Sequence, residues 1–441
     1  MIAPDEFLLE DVRCFRGEQR ARLRPITLLV GENSTGKTTF LGCYDVLHRL
    51  LAGSRTPGDR LDFNREPFSM GSFREIVRSR RGRLGRIDEF ALGFSVSSRP
   101  RADSERFLTR VGFSEGGAQP TMSSVHCEYG NHAFSLRRTA DSERTVFKTA
   151  EFETEVDYVF DENWMYWLNY LSRGRKPNPD ESENENRVID YLAGTIGLDD
   201  GSVERQRFFM LWSEQLRIPI PVAPLRSKPK RTYDPVRETA SPEGGHIPML
   251  MMRLDRTDKG KWGELHGDLV TFGKASGMFA DIAVKRHGRQ MSDPFQLQVK
   301  VRTGPQANIM DVGYGVSQSL PILVDVRSQT HSVLLLQQPE VHLHPRAQAE
   351  LASLFVASYK KNHNHFMIET HSDYIIDRIR ILVKKQVLSP DDVSILYFAP
   401  KRNAVKIHNI GLDGNGDLEG VPEGYRDFFI RESDQLLGFA D

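Results

Sequence analysis

The chain has 441 residues, of which 39% are hydrophobic and 27% are charged. This composition provides enough apolar side chains for a large buried core, and it excludes a globally disordered chain. The 59 Lys and Arg residues nearly cancel the 60 Asp and Glu residues, so the overall charge does not require a polyanionic partner or a membrane surface. A chain of this length corresponds to roughly one to three domains.

The three cysteines, Cys14, Cys43 and Cys127, have no CxxC spacing and no neighbouring pair of histidines. This argues against a disulfide framework and a structural zinc site, and it favours reduced thiols. The N-terminus lacks the basic stretch and apolar run of a secretory signal, and no apolar segment approaches the roughly 18 residues that a bilayer span needs. We therefore expect a cytoplasmic protein without a membrane span.

The first 50 residues have the pattern of strand, strand, glycine loop and helix. A β-rich run at 25–30 precedes the segment 31–39, Gly-Glu-Asn-Ser-Thr-Gly-Lys-Thr-Thr, and apolar residues at helical spacing follow it. In such a loop the backbone N–H groups and the helix N-terminus bind phosphate, the Lys37 ammonium reaches the terminal phosphate oxygens, and Thr38 holds Mg²⁺. The predicted binding residues are Gly31, Asn33, Ser34, Thr35, Gly36, Lys37, Thr38 and Thr39.

Between the loop helix and residue 150, two features stand out. Residues 53–86 are loop-rich and carry a cluster of arginines, namely Arg74, Arg78, Arg80, Arg81, Arg83 and Arg86. This cluster either contacts nucleic acid or a phosphorylated partner, or it is a solvated loop. From residue 90 to about 147, short alternating segments predict an antiparallel sheet.

The segment 151–275 differs in composition from the residues on either side. It contains an aromatic stretch at 164–168, an acidic run at 180–185 and a proline-rich run at 218–224. We expect an inserted α-rich domain over 151–275, between an N-terminal lobe at 1–150 and a C-terminal lobe at 276–441. Residues 226–233 hold four cations and a tyrosine, a pattern that suits either nucleic-acid binding or a subunit contact.

The C-terminal lobe contains an apolar strand that ends in polar residues. Residues 333–336 are Val-Leu-Leu-Leu, and the run Gln-Gln-Pro-Glu-Val-His-Leu-His-Pro follows at 337–345. A nucleotide site beside a phosphate-binding loop expects a metal-orienting carboxylate here and a second acid that positions water. Gln337 and Gln338 occupy both places. His342 and His344 lack a third ligand of suitable spacing, so we expect them to shape the site rather than bind a metal.

Two further segments carry polar residues at the ends of predicted elements. Residues 311–319 open a helix with small residues and hydroxyls, which forms a second terminus able to bind phosphate. Residues 368–373, Ile-Glu-Thr-His-Ser-Asp, end a strand with a polar cluster in which His371 can donate a hydrogen bond to a terminal phosphate.

This ordered set of motifs resembles the ABC-type ATPases of the RecF/SMC/OLD superfamily, over residues 1–50 and 296–400. The element Arg13-Cys14-Phe15 before the loop looks like that family's N-terminal lobe, and 339–345 is similar to the PE-x-HLHP stretch of the OLD-like branch. The resemblance implies an α/β P-loop NTPase head of the ABC type, with a two-lobed mixed sheet and flanking helices. It also implies ATP and Mg²⁺ as cofactors.

The resemblance also assigns roles to individual residues. Gly315 and Ser317 match the signature loop, which in that family contacts the nucleotide held by a second subunit, so it implies at least a homodimer. Gln337 matches the magnesium-linked acid, Gln338 the water-activating glutamate and His371 the switch histidine. The chain ends about 70 residues after His371, so we expect no C-terminal Toprim nuclease and a separate effector protein, such as a nuclease, as partner.

The two glutamines limit the predicted enzymology. An amide can offer an oxygen to Mg²⁺ or hold a water molecule, but it cannot accept a proton or supply negative charge. We therefore predict slow ATP hydrolysis, unless Glu340 or Glu369 takes the missing role. Gln337 and Gln338 are either a natural variant or an engineered ATP trap.

The resemblance leads to one functional interpretation and two alternatives. Chains of this branch without a fused nuclease resemble ATPase components of bacterial anti-phage defence systems, such as the Septu and PARIS types, and fold-level analogy alone carries this step. The first alternative is a RecF-like DNA-repair clamp, which closes on duplex DNA with ATP. The second is a nucleotide-held scaffold without meaningful turnover.

Overall fold

A computed structural model describes residues 4–52, 61–78, 87–97, 106–130, 132–139, 144–156, 216–235, 239–301 and 304–423, with a few positions between 184 and 191 and residue 425. Three sheets and seven α-helices are placed in these ranges. Several predicted features lie outside the described residues: the aromatic stretch 164–168, most of the acidic run, and Arg80, Arg81, Arg83 and Arg86.

The first sheet is antiparallel and has eight strands. They are β1 (Glu6–Glu10), β2 (Glu18–Arg22), β4 (Glu89–Ser97), β5 (Arg106–Ser114), β6 (Thr121–Tyr129), β7 (His132–Arg138), β8 (Thr145–Thr149) and β9 (Glu153–Val156), in the order β2-β1-β4-β5-β6-β7-β8-β9. In β6 the buried Val125, Cys127 and Tyr129 alternate with the more exposed His126 and Glu128, as a sheet with one covered face requires. The antiparallel sheet predicted for residues 90–147 is confirmed.

The second sheet has seven strands and carries the candidate site. They are β3 (Ile26–Gly31), β10 (Ile220–Val222), β14 (Val333–Gln337), β15 (His365–Glu369), β16 (Val393–Lys401), β17 (Ala404–Leu412) and β18 (Leu418–Glu419), in the order β10-β14-β15-β3-β16-β17-β18. The five strands from β10 to β16 are parallel neighbours, whereas β17 and β18 are antiparallel. Gly31, Gln337 and Glu369 therefore end their strands at one shared edge.

The helices are α1 (Lys37–Ala52), α2 (Phe73–Ile76), α3 (Ile247–Thr257), α4 (Lys259–Ser276), α5 (Tyr314–Ser328), α6 (Pro345–Asn362) and α7 (Asp373–Lys384). Helix α1 lies between the two large sheets, because the Phe40 ring is 5.0 Å from that of Phe7 in β1 and 5.5 Å from that of Phe398 in β16. The other face of the seven-stranded sheet packs against α3 to α7. In β3, Leu29 faces the α1 core and Leu28 faces the opposite one.

A third, smaller sheet lies beside these helices and consists of β11 (Asp281–Arg286), β12 (Phe295–Lys300) and β13 (Gln306–Asn308). The predicted α/β class, with two lobes and flanking helices, is confirmed. Within the described ranges, no helix has the length and apolar character that a bilayer crossing demands.

The C-terminal part of the segment 151–275 differs from the expectation of a separate insertion. Strand β10 pairs with β14 at the edge of the seven-stranded sheet, and α4 packs against α5 and α6. These residues are therefore continuous with the C-terminal lobe. The strand was not predicted, because a proline-rich sequence is typical of a loop, although proline is also tolerated in an edge strand. The remainder of the predicted insertion lies mostly outside the described residues.

Candidate functional site

The phosphate-binding loop predicted from the sequence connects β3 to α1. Gly31 and Gly36 have φ angles of +143° and +89°, which residues with a side chain rarely adopt. A Cβ at Gly31 would lie only 2.7 Å from the carbonyl oxygen of Phe398, so glycine permits the close approach of β16. Lys37 is buried, and its Nζ donates to the carbonyls of Gly31 (3.0 Å) and Glu32 (2.7 Å). The ammonium group thus lies over the loop that it is expected to serve.

The N-terminal element Arg13-Cys14-Phe15 braces this loop. A Cβ at Gly36 would lie 2.5 Å from Sγ of Cys14 and 2.9 Å from Cζ of Phe15, so the loop backbone contacts both side chains directly. Nη1 of Arg13 donates to Oγ1 of Thr39 (3.0 Å), and Nη2 donates to a backbone carbonyl in the loop before α2 (2.7 Å). The sequence identified this element only by resemblance, and its packing against the loop is a finding of the structure.

A carboxylate meets the loop at Thr38. Oγ1 of Thr38 donates to the Glu369 carboxylate, at 3.0 Å from Oε2 and 3.3 Å from Oε1. Burial raises the pKa of Glu369, although the Thr38 hydrogen bond and the Lys37 charge act in the opposite direction. Burial likewise lowers the pKa of Lys37, opposed by the charges of Glu369 and Glu32. A threonine hydroxyl, a carboxylate and an ammonium therefore meet at the N-terminus of α1.

Strand order explains why Glu369 reaches Thr38 and Gln337 does not. Strand β15 lies between β3 and β14, and Glu369 is in register with Leu29 of β3 on one side and Gln337 of β14 on the other. Glu369 is therefore one strand closer to the loop than Gln337. Gln337 is buried, and its Oε1 has no hydrogen-bond partner among the described residues. Its amide oxygen is therefore an unpaired acceptor at the end of β14.

Beyond β14 the chain turns sharply toward Glu340. Gln338 has φ +42° and donates its backbone N–H to the carbonyl of Glu369 (2.8 Å), which fixes the turn against β15. Oε1 of the buried Glu340 accepts the backbone N–H of His371 (2.7 Å), and hydrogen bonds from this N–H and from the Thr370 side chain act to lower the pKa of Glu340. Burial outweighs these hydrogen bonds and the Arg226 charge, so the pKa of Glu340 is raised. His371 is exposed at the rim, and partial desolvation together with the Lys37 charge lowers its pKa.

A cavity of about 380 Å³ unites the loop residues with Glu369. Its lining consists of Arg13, Cys14, Ser34, Thr35, Gly36, Lys37, Thr38, Thr39 and Glu369. Asn33 is exposed beside this cavity, and Gln337, Gln338, Glu340 and His371 lie at the ends of the neighbouring strands. From the sequence, Glu369 was predicted only as a possible replacement for the missing acid, and no contact was predicted for Arg13. Both contacts depend on strand order and packing, which local sequence patterns do not encode.

The predicted signature residues lie at the start of α5, away from this cavity. A Cβ at Gly315 would be 2.7 Å from the carbonyl oxygen of His342, and the Tyr314 and His342 rings are 5.1 Å apart. Helix α5 thus begins against the turn that follows β14. Ser317 is buried and its hydroxyl donates to the carbonyl of Tyr314 (2.8 Å), so its predicted contact with a second subunit's nucleotide stays a prediction.

The basic segment 226–231 is only partly available to an external ligand. Arg226 is buried, and Arg231 forms a two-bond ion pair with Asp311, with N–O distances of 2.6 and 2.9 Å. Lys228 and Lys230 are exposed. Two of the four cations are therefore engaged within the chain, which weakens the expectation of a nucleic-acid grip at this segment.

The candidate site offers oxygen ligands rather than a preformed metal cluster. Within the described ranges, no group of three or more His, Cys, Asp and Glu side chains is arranged to hold a metal ion. The Thr38 hydroxyl, the Glu369 carboxylate and the unpartnered Gln337 Oε1 are hard oxygen donors near a phosphate-binding loop. Such a set fits Mg²⁺, which takes a few protein ligands and completes its shell with phosphate oxygens and water.

Comparison with protein-family models matches residues 169–377 to AAA_21, whose description names an AAA domain, an AbiEii toxin and a Type IV TA system. The matched range is just under half of the chain; it includes α5, β14 and β15 and begins after the phosphate-binding loop. The match and the loop geometry together support the coarse identification of a P-loop ATPase domain. No relative was found among curated proteins by sequence comparison.

Several solved structures of SMC heads are similar to this chain, each at 10% sequence identity. The SmcHead bound to the C-winged helix domain of ScpA gives a TM-score of 0.46, over 93% of this chain and 98% of that one. The Smc head domain with an extended coiled coil bound to the C-terminal domain of ScpA, derived from Pyrococcus furiosus, gives 0.42 over 99% of each chain. The SMC head domain from Thermotoga maritima gives 0.37, over 92% and 99%.

Proposed function

We propose that this protein binds ATP with Mg²⁺, hydrolyses it slowly and pairs with a second copy through the bound nucleotide. The observation that carries the proposal is the hydrogen bond between Thr38 and Glu369 beside the buried Lys37, at the N-terminus of α1. The N–H groups of the loop and the positive end of the helix dipole favour a polyphosphate there. The nearby carboxylate requires a cation between itself and that polyphosphate, because the two negative groups otherwise repel each other.

In this proposal Glu369 supplies the negative charge that the sequence motif expected at Gln337. The two residues are register partners at the ends of adjacent strands, and Glu369 is the one in contact with Thr38. Thr38 and Glu369 would hold Mg²⁺, and Gln337 would add a neutral oxygen. When bound, the metal offsets negative charge on the phosphates. Lys37 binds and orients the terminal phosphate oxygens.

The side chains of the residues after β14 explain why we expect hydrolysis to be slow. Gln338 can orient a water molecule but cannot accept its proton, so a carboxylate must do so. Glu340 is such a carboxylate, and the backbone N–H of His371 holds its Oε1 at the end of β14. Its raised pKa makes it a stronger base than an exposed glutamate. Its burial restricts the approach of water, which favours a low rate.

We further propose that the nucleotide-bound pair acts in the cytoplasm as a sensor or regulator of a partner effector, such as a nuclease, in anti-phage defence. The AAA_21 description names a toxin and a toxin–antitoxin system, which agrees with this kind of role. The exposed start of α5, with Tyr314 44% accessible, provides a surface through which a second copy could contact the nucleotide.

The first test measures ATP turnover and solution mass together, with and without ATP and Mg²⁺. Lys37→Ala should weaken ATP binding by about 10- to 150-fold, and Glu369→Gln should weaken Mg²⁺-dependent ATP binding by about 10- to 100-fold. The matched control is Glu350→Gln, since Glu350 is a half-buried carboxylate of α6 that pairs with Arg378 and lies outside the cavity lining. Equal effects of the two Glu→Gln changes would contradict the assignment of Glu369.

The outcomes separate the candidate functions. Nucleotide-dependent assembly with slow turnover supports a regulated ATPase, whereas assembly without any turnover supports a scaffold. Tight, salt-sensitive binding of duplex DNA that requires ATP and is lost on reversing the charges of Lys228 and Lys230 would favour a RecF-like clamp instead.

A further inference from the structure

Arg226 is a buried cation that lies four residues after the end of β10. Only 5% of the residue is exposed. Its Nη2 donates to the carbonyl oxygens of Gln337 (3.4 Å) and Gln338 (3.2 Å), which lie where β14 ends. The sequence predicts that this arginine belongs to a segment suited either to nucleic-acid binding or to a subunit contact. The structure instead turns its guanidinium inward, onto the backbone of the neighbouring strand.

The burial of this guanidinium is poorly compensated. Its Nε and Nη1 atoms have no hydrogen-bond partner in the described ranges, and no carboxylate there forms an ion pair with it. Desolvation lowers the pKa of Arg226 to about 10, although the charge of Glu340 acts in the opposite direction. A buried cation with unused donors disfavours folding, and an apolar side chain of similar length would avoid this cost. Stability therefore gives no reason for an arginine here.

The turn that Arg226 contacts is held from both sides. On the side of β15, Gln338 donates its N–H to the carbonyl of Glu369, and Glu340 accepts the N–H of His371. On the side of β10, the donor is the Arg226 guanidinium. Gln338 has a positive φ, a strained conformation that surrounding contacts must maintain. The ends of three adjacent strands thus converge on the turn that leads to Glu340.

We propose that Arg226 is a positioning residue for ATP hydrolysis, which fixes the Gln338 turn so that the Glu340 carboxylate meets the attacking water. This inference rests on the proposed function. Arg226 acts through the backbone of the turn and through its positive charge near Glu340. A group that acts in this way alters the rate of the chemical step more than the affinity for ATP, because it controls the geometry of the base and not the phosphate contacts.

Two substitutions in the full-length protein separate charge from shape. Arg226→Met keeps the length but removes the charge and the donors, and it should lower kcat by about 10- to 100-fold while KM and ATP affinity change by less than about threefold. Arg226→Lys keeps the charge without the planar fork, and it should give an intermediate kcat. Arg253→Met, at an exposed arginine of α3, is the control and should leave kcat and KM unchanged. Urea unfolding midpoints monitor the fold of each variant.

A double variant tests whether Arg226 works through Glu340. Glu340→Gln should lower kcat, and adding Arg226→Met should lower it no further, because the group to be positioned is already absent. If the two substitutions instead lower kcat additively, the inference is overturned. It is also overturned if Arg226→Met shifts the urea unfolding midpoint but leaves kcat unchanged. If the methionine variant does not fold, a wild-type kcat in Arg226→Lys overturns it.

The same measurements separate this inference from the proposed function. If the wild-type protein shows no turnover, the proposed hydrolysis fails and the inference falls with it. If Glu340→Gln abolishes turnover while Arg226→Met leaves it intact, the proposed function stands and the inference alone is overturned.

Discussion

Replacing Gly36 by alanine tests how tightly the phosphate-binding loop is built. Gly36 has φ +89°, and holding a residue with a side chain in such a region costs about 1–3 kcal/mol. The new Cβ would lie 2.5 Å from Sγ of Cys14 and 2.9 Å from Cζ of Phe15. Phe15 is fully buried, with its ring 6.0 Å from that of Phe398, so it cannot withdraw easily. Overpacking of this kind costs about 1–3 kcal/mol more.

The expected loss for Gly36→Ala is therefore about 2–6 kcal/mol in the free energy of unfolding. Gly17→Ala is the matched control, because Gly17 has φ +59° and no atom within 4 Å of the added Cβ. That change carries only the backbone cost, about 1–2 kcal/mol. In a protein that already carries Cys14→Ala, the Gly36→Ala change should cost less free energy of unfolding, because the nearest clashing atom is absent.

The assay combines urea unfolding with binding of a fluorescent ATP analogue. Gly36→Ala should lose both stability and binding, because the displaced backbone no longer aligns its N–H groups on phosphate, whereas Gly17→Ala should keep binding. Equal unfolding midpoints and equal affinities in the two variants would refute the reasoning, because the loop would then accept the added Cβ without loss of stability or of ATP binding.

Three further changes have expected outcomes. Lys37→Ala should weaken ATP binding by about 10- to 150-fold, from the loss of about 1.5–3 kcal/mol of charge-assisted hydrogen bonding, with Lys37→Arg as the comparison in equilibrium titration. Breaking the buried ion pair between Arg49 and Asp45 (2.8 Å) by Arg49→Met should cost about 3–5 kcal/mol in urea unfolding, and adding Asp45→Leu should recover most of it; no recovery would argue against the pair. Burial lowers the pKa of His48 from its ordinary value of 6.5 to about 3, so below pH 6.5 the unfolded chain binds a proton that the folded chain does not, and stability falls toward pH 3. His48→Phe should flatten this fall in unfolding midpoint against pH, whereas a change at the exposed His287 should not.

The phosphate-binding loop could be predicted from sequence because its signals are local. A strand, two glycines, a lysine and a helix stand in one run of about 25 residues, and the structure places Lys37 and Thr38 in one cavity, as such a run predicts. The antiparallel sheet was similarly visible in alternating residues. Both predictions depend only on neighbours along the chain.

The contacts of Glu369 and Arg226 could not be read in the same way. The role of Glu369 depends on β15 lying between β3 and β14, which no short pattern encodes. Arg226 lies in a segment rich in cations, and its burial follows only from the pairing of β10 with β14. The edge strand β10 itself was hidden, because its prolines suggested a loop.

The position of α1 between the two large sheets has a mechanical consequence. Phe40 contacts a ring in each sheet, so the loop helix cannot shift without carrying both layers with it. From β1 to β9 the antiparallel sheet extends over six strand spacings, or about 29 Å at about 4.8 Å each. A rotation of about 5° at the helix would therefore move the far strand by about 2.5 Å. The width of the antiparallel sheet would thus amplify any rotation of α1 at β9, the strand that precedes residues 157–215.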